Sequence, residues 1–335
     1  MATLSSLEIC AGGGGQALGL EMAGFEHVAL VENDHQSCET LRLNRPKWNV
    51  IEGDLRQFKG ASFKGIDLLA GGVPCPPFSI AGKQLGAGDE RDLFPEALRL
   101  VDECRPKAVM LENVRGLLDP AFQDYRKRIT RTLKKLGYVG RWALLNACDF
   151  GVPQLRPRVV MVAVTAAISD YFEWPKHSGH RAPTVGRALY PLMSSRGWHR
   201  VDEWRDIASG IAPTIVGGSK KHGGPDLGPT RAKRAWAQLG VNGHLIGDLP
   251  PEPDFVGMPV LTVPMVARLQ GFSKRWAFSG KKTPAYRQVG NAFPPPVARA
   301  VGYSIQHCFE KRVVKTLLPF GSCDSFEDEG IGATA

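Results

Sequence analysis

Across the first half of the chain, short apolar runs alternate with helical patterns. LSSLEIC, HVALVE, WNVIEG, GIDLLAGG, AVMLENV and RVVMVAVT have the composition of strands. QALGLEMAG, HQSCETLRLN, FPEALRLVDEC and YRKRITRTLKKLG between them have the apolar spacing of amphipathic helices. Near-continuous apolar strands must be covered on both faces, and helices between successive strands make the sheet parallel. The expected architecture is a doubly wound α/β domain. In such a sheet ligands collect beyond the carboxyl ends of the strands. The residues that follow each apolar run are therefore the first place to look for chemistry.

The rhythm stops near residue 170. From His177 to Pro259 the chain is rich in Gly, Pro, Trp, Arg and Lys, with APTIVGGSKKHGGPDLGPTRAKRAW and DLPPEPDF as its most marked stretches. Loops or short strands are expected there. The region reads as a second, smaller domain specialised for contact, or as one long insertion. A helical pattern returns at LTVPMVARLQGF, and QVGNAFPPPVARAVGYSIQHCFEKRV reads as a loop followed by a long amphipathic helix. The expected division is a catalytic domain over 1–180, completed by 285–320, a contact domain over 181–284, and a polar tail, GSCDSFEDEGIGATA, that is disordered.

With 335 residues, 43% of them hydrophobic, the chain can bury one large core and a smaller one. Its net charge of +9 suits a polyanion such as nucleic acid. Seven cysteines are scattered without a CxxC pair, which argues against a disulfide framework and a zinc site. No metal is expected, and reduced thiols fit the cytoplasm. MATLSSLEIC does not resemble a signal peptide, and VVMVAVTAAI is too short to span a bilayer, so no membrane partner is expected.

Beyond the first strand lie Gly12, Gly13, Gly14 and Gly15, followed by a helix. Glycine lets the chain turn sharply and lets a ligand lie against free helix amides. About 20 residues further on, Glu32 ends the second strand, where a carboxylate fits a ribose. Asp54 follows the third strand. These residues suit an adenosine-containing cofactor, or else a plain turn with exposed carboxylates. After the fourth strand, GGVPCPPFS sets Cys75 between Pro74 and Pro76-Pro77. Fixed φ angles aim this thiol, which alone reads as a nucleophile or as an ordinary buried cysteine. Glu112 and Asn113 end the fifth strand. A desolvated carboxylate there can donate a proton, or merely cap. Arg156 and Arg158 precede the last strand, and side chains two apart in an extended chain point the same way. They suit a phosphate or a base carbonyl, or guard a sheet edge.

Taken in order, CAGGGG, VEND, GD, GGVPCPPFS, MLENV, QLRPR, RLQGF and QVGNAFPPPVA resemble the DNA cytosine-5 methyltransferase family of bacterial and phage type. The resemblance covers about residues 5–165 and 262–305, and the unassigned middle falls where that family keeps its target recognition domain. It implies a Rossmann-like catalytic domain that uses S-adenosylmethionine and acts on double-stranded DNA as a monomer. It implies a nucleophilic role for Cys75, proton donation to N3 by Glu112, a contact of Arg158 with the base carbonyl, and support of the closed site by Arg156. Cys10, Gly12, Gly14, Glu32, Asp54, Pro74, Leu93 and Asn291 would contact the cofactor. The compact motif set suits a bacterial or phage enzyme, for which a cognate restriction endonuclease sharing the site is a plausible partner.

A buried C6 requires the target base to leave the duplex. The loop IAGKQLGAGDERDLF, with Gly82, Gly86, Gly88, Lys83 and Arg91, reads as a lid over it. Trp198, Trp204, Trp236, Lys220, Lys221, His222, Arg231, Lys233 and Arg234 would furnish the recognition domain, the tryptophans as small-domain core more than as DNA contacts. Thr214-Ile215-Val216 resembles the family's core stretch of that domain. Three positions depart from the family pattern: Cys10 stands for the usual Phe, Pro76 for the usual Gln, and VPMVARLQGF lacks the Arg-Glu pair. An RNA methyltransferase on the same scaffold would carry a Cys-Phe-Thr signature, which is absent. A non-catalytic DNA-binding relative would lack Pro-Cys or Glu-Asn-Val, and both are intact.

Overall fold

A computed structural model of the chain describes residues 3–74, 92–177, 179, 181–218 and 225–310. Cys75, Pro76, Pro77, the lid reading up to Arg91, Lys220, Lys221, His222 and the tail lie outside the described residues. The chain divides into two compact units. Of the described residues, one takes in those up to Leu145, Pro157–Pro175 and those from Val297 onward, and the other Asn146–Arg156 and Lys176–Pro296. The division passes between Arg156 and Arg158.

The first unit is built on a seven-stranded sheet. Its strands are β1 (Leu4–Ile9), β2 (Phe25–Glu32), β3 (Val50–Glu52), β4 (Leu68–Gly71), β5 (Ala108–Val114), β6 (Tyr138–Asn146) and β7 (Pro157–Thr165), in the order β3-β2-β1-β4-β5-β7-β6. The helices α1 (Gly15–Met22), α2 (His35–Asn44), α3 (Phe94–Cys104) and α4 (Gln123–Lys135) fall where the apolar spacing places them. Strand order reverses between β1 and β4, which pair in parallel with Ile9 opposite Gly71. The two chains leaving the sheet there, Cys10–Gly15 and Gly72–Pro74, therefore start side by side. A Cβ on Gly71 would lie 2.5 Å from the Ile9 carbonyl oxygen, so only glycine fits at this junction.

One face of the sheet packs Leu7, Ile9, Leu69, Val109 and Leu111 against Ala97, Leu100 and Val101 of α3 and Ile129 and Leu133 of α4. On α10 (Pro295–Phe309), a Cβ at Gly302 would sit 2.7 Å from Ala23 Cβ, and Tyr303 donates to the Met22 carbonyl at 3.1 Å.

The sheet is not wholly parallel as expected. β7 runs antiparallel to β5, with Glu112 opposite Val160 and Val114 opposite Arg158. A parallel neighbour needs a crossover connection of a dozen or more residues, usually helical. No α-helix lies between β6 and β7, so the chain returns the other way. β6 is absent from the apolar pattern because most of its residues are half-buried or exposed, including Arg141 and Trp142.

In the second unit the expected loops and short strands give way to helices: α5 (Val185–Met193), α6 (Val201–Ile207) and α7 (Thr230–Gln238). Thr184 caps α5 by accepting from the Arg187 amide at 3.2 Å, and Val185, Ala188, Leu189 and Met193 bury one side of the helix. Pro191 inside it hid the helical signal. Trp198, Trp204 and Trp236 are buried core, with Trp198 Nε1 donating to Phe255 O at 2.8 Å and Trp204 Nε1 to Gly240 O at 3.1 Å. Two-residue strands β8 (Ile246–Gly247) and β9 (Leu261–Thr262) pair in parallel, and α8 (Val263–Leu269) and α9 (Lys282–Asn291) follow. QVGN, expected as a loop, is the last turn of α9. Among the described residues no helix is long and apolar enough to cross a membrane.

Candidate active site

The glycine turn sits at the switch point of the first unit. Cys10, Gly12 and Gly14 take left-handed φ values of 51°, 54° and 85°. Gly14 caps α1 without any side-chain hydrogen bond, which leaves first-turn amides open to a ligand. Glu32 is buried beside the turn. Its Oε2 accepts from the Gly12 amide at 2.7 Å, and its Oε1 accepts from the Asn33 and Asp34 amides at 2.9 and 2.8 Å. Burial pushes the Glu32 carboxyl up and these three amides pull it down. The half-buried Cys10 thiol is pushed well above its ordinary range by burial, with Glu32, Glu8 and Asp54 adding to it. Such a thiol is not reactive.

Next to Glu32, a cavity of about 260 Å³ is lined by Val31, Ile51, Gly53, Asp54, Gln57, Phe58 and Lys59. Backbone and side-chain hydrogen bonds from Arg56, at 2.9 and 2.8 Å, hold the Asp54 carboxylate low. These residues fit an adenosine group. Val31, Ile51 and Phe58 offer apolar walls for a purine, Asp54 an acceptor, Glu32 a carboxylate with lone pairs left for ribose hydroxyls, and the first turn of α1 its amides for an anionic end. Pro74 and Leu93, on either side of the undescribed residues, are joined by a hydrogen bond from the Leu93 amide to the Pro74 carbonyl at 3.2 Å.

Beyond β4 and β5 lies the second part of the site. Cross-strand partners share a sheet face, as do residues two apart along a strand. Val114 is opposite Arg158, so Glu112 and Arg158 project from the same face. Arg158 Nε lies 2.9 Å from Glu112 Oε1, and both side chains are about nine-tenths buried, at 11% and 9% exposed. Burial lowers the guanidinium's hold on its proton, and the Glu112 carboxylate opposes this. A Cβ on Gly72 would be 3.2 Å from Glu112 Oε2, so the carboxylate lies against the arm that leads to Cys75. Asn113 holds that arm. Its Nδ2 donates to the Val73 carbonyl at 2.8 Å, and its Oδ1 accepts from the Val114 amide at 2.8 Å.

Arg156 and Asn291 belong to the second unit. Arg156 is fully buried, and donates to Ile215 O at 2.6 Å, Gly290 O at 2.7 Å and Ala292 O at 2.9 Å. It thus holds main chain, where Arg158 faces a carboxylate. Asn291 Nδ2 reaches the Gly218 carbonyl at 3.5 Å. Of the basic residues expected to face DNA, Arg231 and Arg234 are exposed, while Lys233 pairs with Asp226 at 2.8 Å.

Three features escaped the motif reading. Asn113 was visible as the second half of the Glu-Asn pair, but its role in holding Val73 was not. Gln154 and Gln270, inside QLRPR and RLQGF, are fully buried and hydrogen-bonded to each other at 2.6 Å. Glu8, in the middle of β1, is fully buried; burial raises its carboxyl well above the ordinary range, and Gln16 of α1 opposes that. A lone acid inside an apolar strand gives no sequence signal.

A family model described as C-5 cytosine-specific DNA methylase matches residues 4–307. The Type II methyltransferase M.NgoMIV of Neisseria gonorrhoeae is 57% identical over 92% of this chain and 98% of its own length. The Type II methyltransferase M.NaeI of Lentzea aerocolonigenes is 56% identical over 91% of this chain and 75% of its own length. Among solved structures, a DNMT2 mutant of Spodoptera frugiperda superposes with a TM-score of 0.62 over 91% of this chain and 99% of its own, at 16% identity. That last likeness is one of fold.

Proposed function

The chain belongs to the C-5 cytosine-specific DNA methylase family, and from that premise we propose that Cys75, Glu112 and Arg158 carry its reaction. The enzyme is a DNA (cytosine-5)-methyltransferase acting on duplex DNA with S-adenosylmethionine as its cofactor. The observation that most supports our assignment of residues is the buried Glu112–Arg158 pair, set against the arm that ends in Pro74.

The chemistry asks for these groups. C5 of cytosine is a weak nucleophile. Addition of the Cys75 thiolate to C6 turns C5 into an enamine carbon. When bound, S-adenosylmethionine supplies the electrophilic methyl group. Glu112 gives a proton to N3 and so removes charge as it accumulates on the ring. To Arg158, paired with Glu112, we assign donation to the base carbonyl. Loss of the C5 proton and departure of Cys75 then restore the aromatic ring. A free thiol has a pKa of about 8.5, so Cys75 needs a cationic setting, for which Arg158 is the buried candidate on β7. The target base must be flipped out at a cost of a few kcal/mol, and the loop after Cys75 is our candidate for the lid. Cys10, Gly12, Gly14, Glu32, Asp54, Pro74, Leu93 and Asn291 remain our cofactor contacts, and Arg156 a support for the closed site.

The second unit is our candidate for target recognition. The identity to M.NgoMIV and M.NaeI runs through that unit as well as the first, which supports a recognition sequence shared with them. Both carry the name Type II methyltransferase, which supports a restriction endonuclease acting at the same site. We place the protein in the cytoplasm as a monomer. Bisulfite sequencing of DNA from cells expressing the protein tests the reading. One short sequence context methylated at one cytosine supports it, whereas unmodified DNA together with methylated tRNA would replace it with an RNA methyltransferase.

A further inference from the structure

We infer that helix α4 carries a second, sequence-independent surface for duplex DNA: the stripe formed by Lys127, Arg128, Arg131, Lys134 and Lys135 holds phosphates outside the recognition sequence. The stripe belongs to the first unit alone and has no part in the methyl-transfer steps.

α4 reads QDYRKRITRTLKK, with Arg126, Lys127, Arg128, Arg131, Lys134 and Lys135 set against one acid, Asp124. Its apolar side faces the core of the first unit, where Ile129 and Leu133 are buried. At 3.6 residues per turn, the five cations of the stripe fall within an arc of about 120° on the side away from those two. All five are exposed. From Lys127 to Lys135 the stripe runs about 12 Å along the helix axis, roughly the rise of three to four base pairs.

The neighbouring helices neutralise their cations, and α4 does not. On α2, Arg42 pairs with Glu39 and with Glu52, each at 3.0 Å. On α3, Arg99 pairs with Glu96 at 2.7 Å and with Glu103 at 2.6 Å. On α4, Lys127 reaches Asp124 at 3.5 Å, while Arg131, Lys134 and Lys135 have no acidic partner among the described residues. The helix does not gain from this charge. Lys134 and Lys135 suit the negative end of its dipole. Arg131, however, stands four residues from both Lys127 and Lys135, a like-charge spacing that weakens a helix. An anionic partner relieves that repulsion.

The stripe is also firmly mounted. Trp142 Nε1 of β6 donates to Thr130 Oγ1 at 3.0 Å, and Arg126 Nη1 donates to Asp119 O at 3.1 Å. Tyr125 Oη donates to Asp92 Oδ1 at 2.6 Å, just before α3, and the Arg128 guanidinium lies 5.1 Å from the centre of the Tyr125 ring. α4 begins shortly after β5, so its first turns lie toward the sheet edge at which Glu112 stands. Duplex DNA is the polyanion this enzyme acts on. A row of Lys and Arg on a rigid helix gives phosphate contacts that add affinity without reading bases.

The test uses the full-length enzyme and a labelled duplex without the recognition sequence, titrated over a range of salt concentrations. Arg131→Gln/Lys135→Gln is compared with wild type and with Lys47→Gln/Lys64→Gln, which removes the same net charge from exposed positions off the stripe. Loss of two phosphate contacts should make the slope of log K against log salt shallower by about 1.8 and weaken binding by about tenfold, with the control within about twofold of wild type. The KM advantage of a long cognate duplex over one barely longer than the site should shrink by about tenfold in the stripe variant. Gln is a good helix former, so the unfolding midpoint of the stripe variant should not fall. An unchanged slope would overturn the inference. So would equal losses in the two variants, which would report net charge alone, or a loss seen with tRNA and not with duplex DNA. A wild-type enzyme that methylates no DNA would instead sink the functional reading.

Discussion

Arg158 Nε and Glu112 Oε1 lie 2.9 Å apart, on adjacent antiparallel strands and nearly out of solvent. A buried pair of this kind is costly to break from one side, because the partner left behind is an uncompensated charge. Glu112→Gln keeps the shape but removes both the group that can pass a proton to N3 and the carboxylate partner of Arg158. We expect kcat to fall by about 100-fold or more and the protein to lose about 1–3 kcal/mol of stability, measured by methyl incorporation and by urea unfolding. Arg158→Met should lower kcat as well, and the double variant should recover part of the stability lost by Glu112→Gln.

The glycine turn depends on left-handed backbone at Gly14, with φ 85°. Gly14→Ala puts a Cβ into that conformation at a cost of about 1–2 kcal/mol. Cofactor affinity, measured by calorimetry, should drop by about tenfold or more, with little change in DNA binding. Equal losses of both would mean that the turn serves folding rather than the cofactor.

Glu8 makes a pH prediction. Its carboxyl is held above the ordinary range by burial, so the folded state keeps a proton that the unfolded chain has released. Stability from this group is complete below the ordinary carboxyl pKa of about 4.3 and falls as pH rises toward the folded value, by at most about 1.4 kcal/mol per pH unit. Glu32 titrates in the same direction. Glu8→Gln should therefore flatten the decline of the melting temperature between pH 5 and 8 and leave the residual slope of Glu32. A steeper decline in the variant would contradict a neutral Glu8.

Gly71→Ala would force a Cβ to within 2.5 Å of the Ile9 carbonyl at the switch point. Overpacking of this kind costs about 1–3 kcal/mol, seen as a lower midpoint in denaturant, and it should weaken cofactor binding because the strand ends on either side of the site are pushed apart.

Much of this was legible in the sequence because the doubly wound sheet leaves a strong trace. β1 to β5 and β7 are apolar runs, α1 to α4 are amphipathic, and the glycines, Glu32 and Glu112 stand at strand ends where the fold puts its chemistry. β6 was not legible, since an edge strand carrying Arg141 and Trp142 need not be apolar. The antiparallel turn of β7 leaves no residue signature beyond the absence of a helix before it. In the second unit, Pro191 inside α5 and glycine-rich flanks masked three helices whose stability comes from packing around Trp198, Trp204 and Trp236. The partners of Arg156 were illegible for a different reason. Alternation shows where a side chain points on a strand, but Arg156 and Arg158 fall on either side of the division between units and meet different neighbours.

The central claim is that this enzyme attacks C6 of cytosine through Cys75. It is tested most directly by incubating the enzyme and S-adenosylmethionine with a duplex in which the target cytosine, located by bisulfite sequencing, is replaced by 5-fluorocytosine. Elimination then stalls for want of a removable C5 proton. The account predicts a denaturation-resistant protein–DNA complex whose cross-linked peptide contains Cys75, and none with Cys75→Ser. An adduct mapped to another residue, or undiminished trapping by Cys75→Ser, would contradict it.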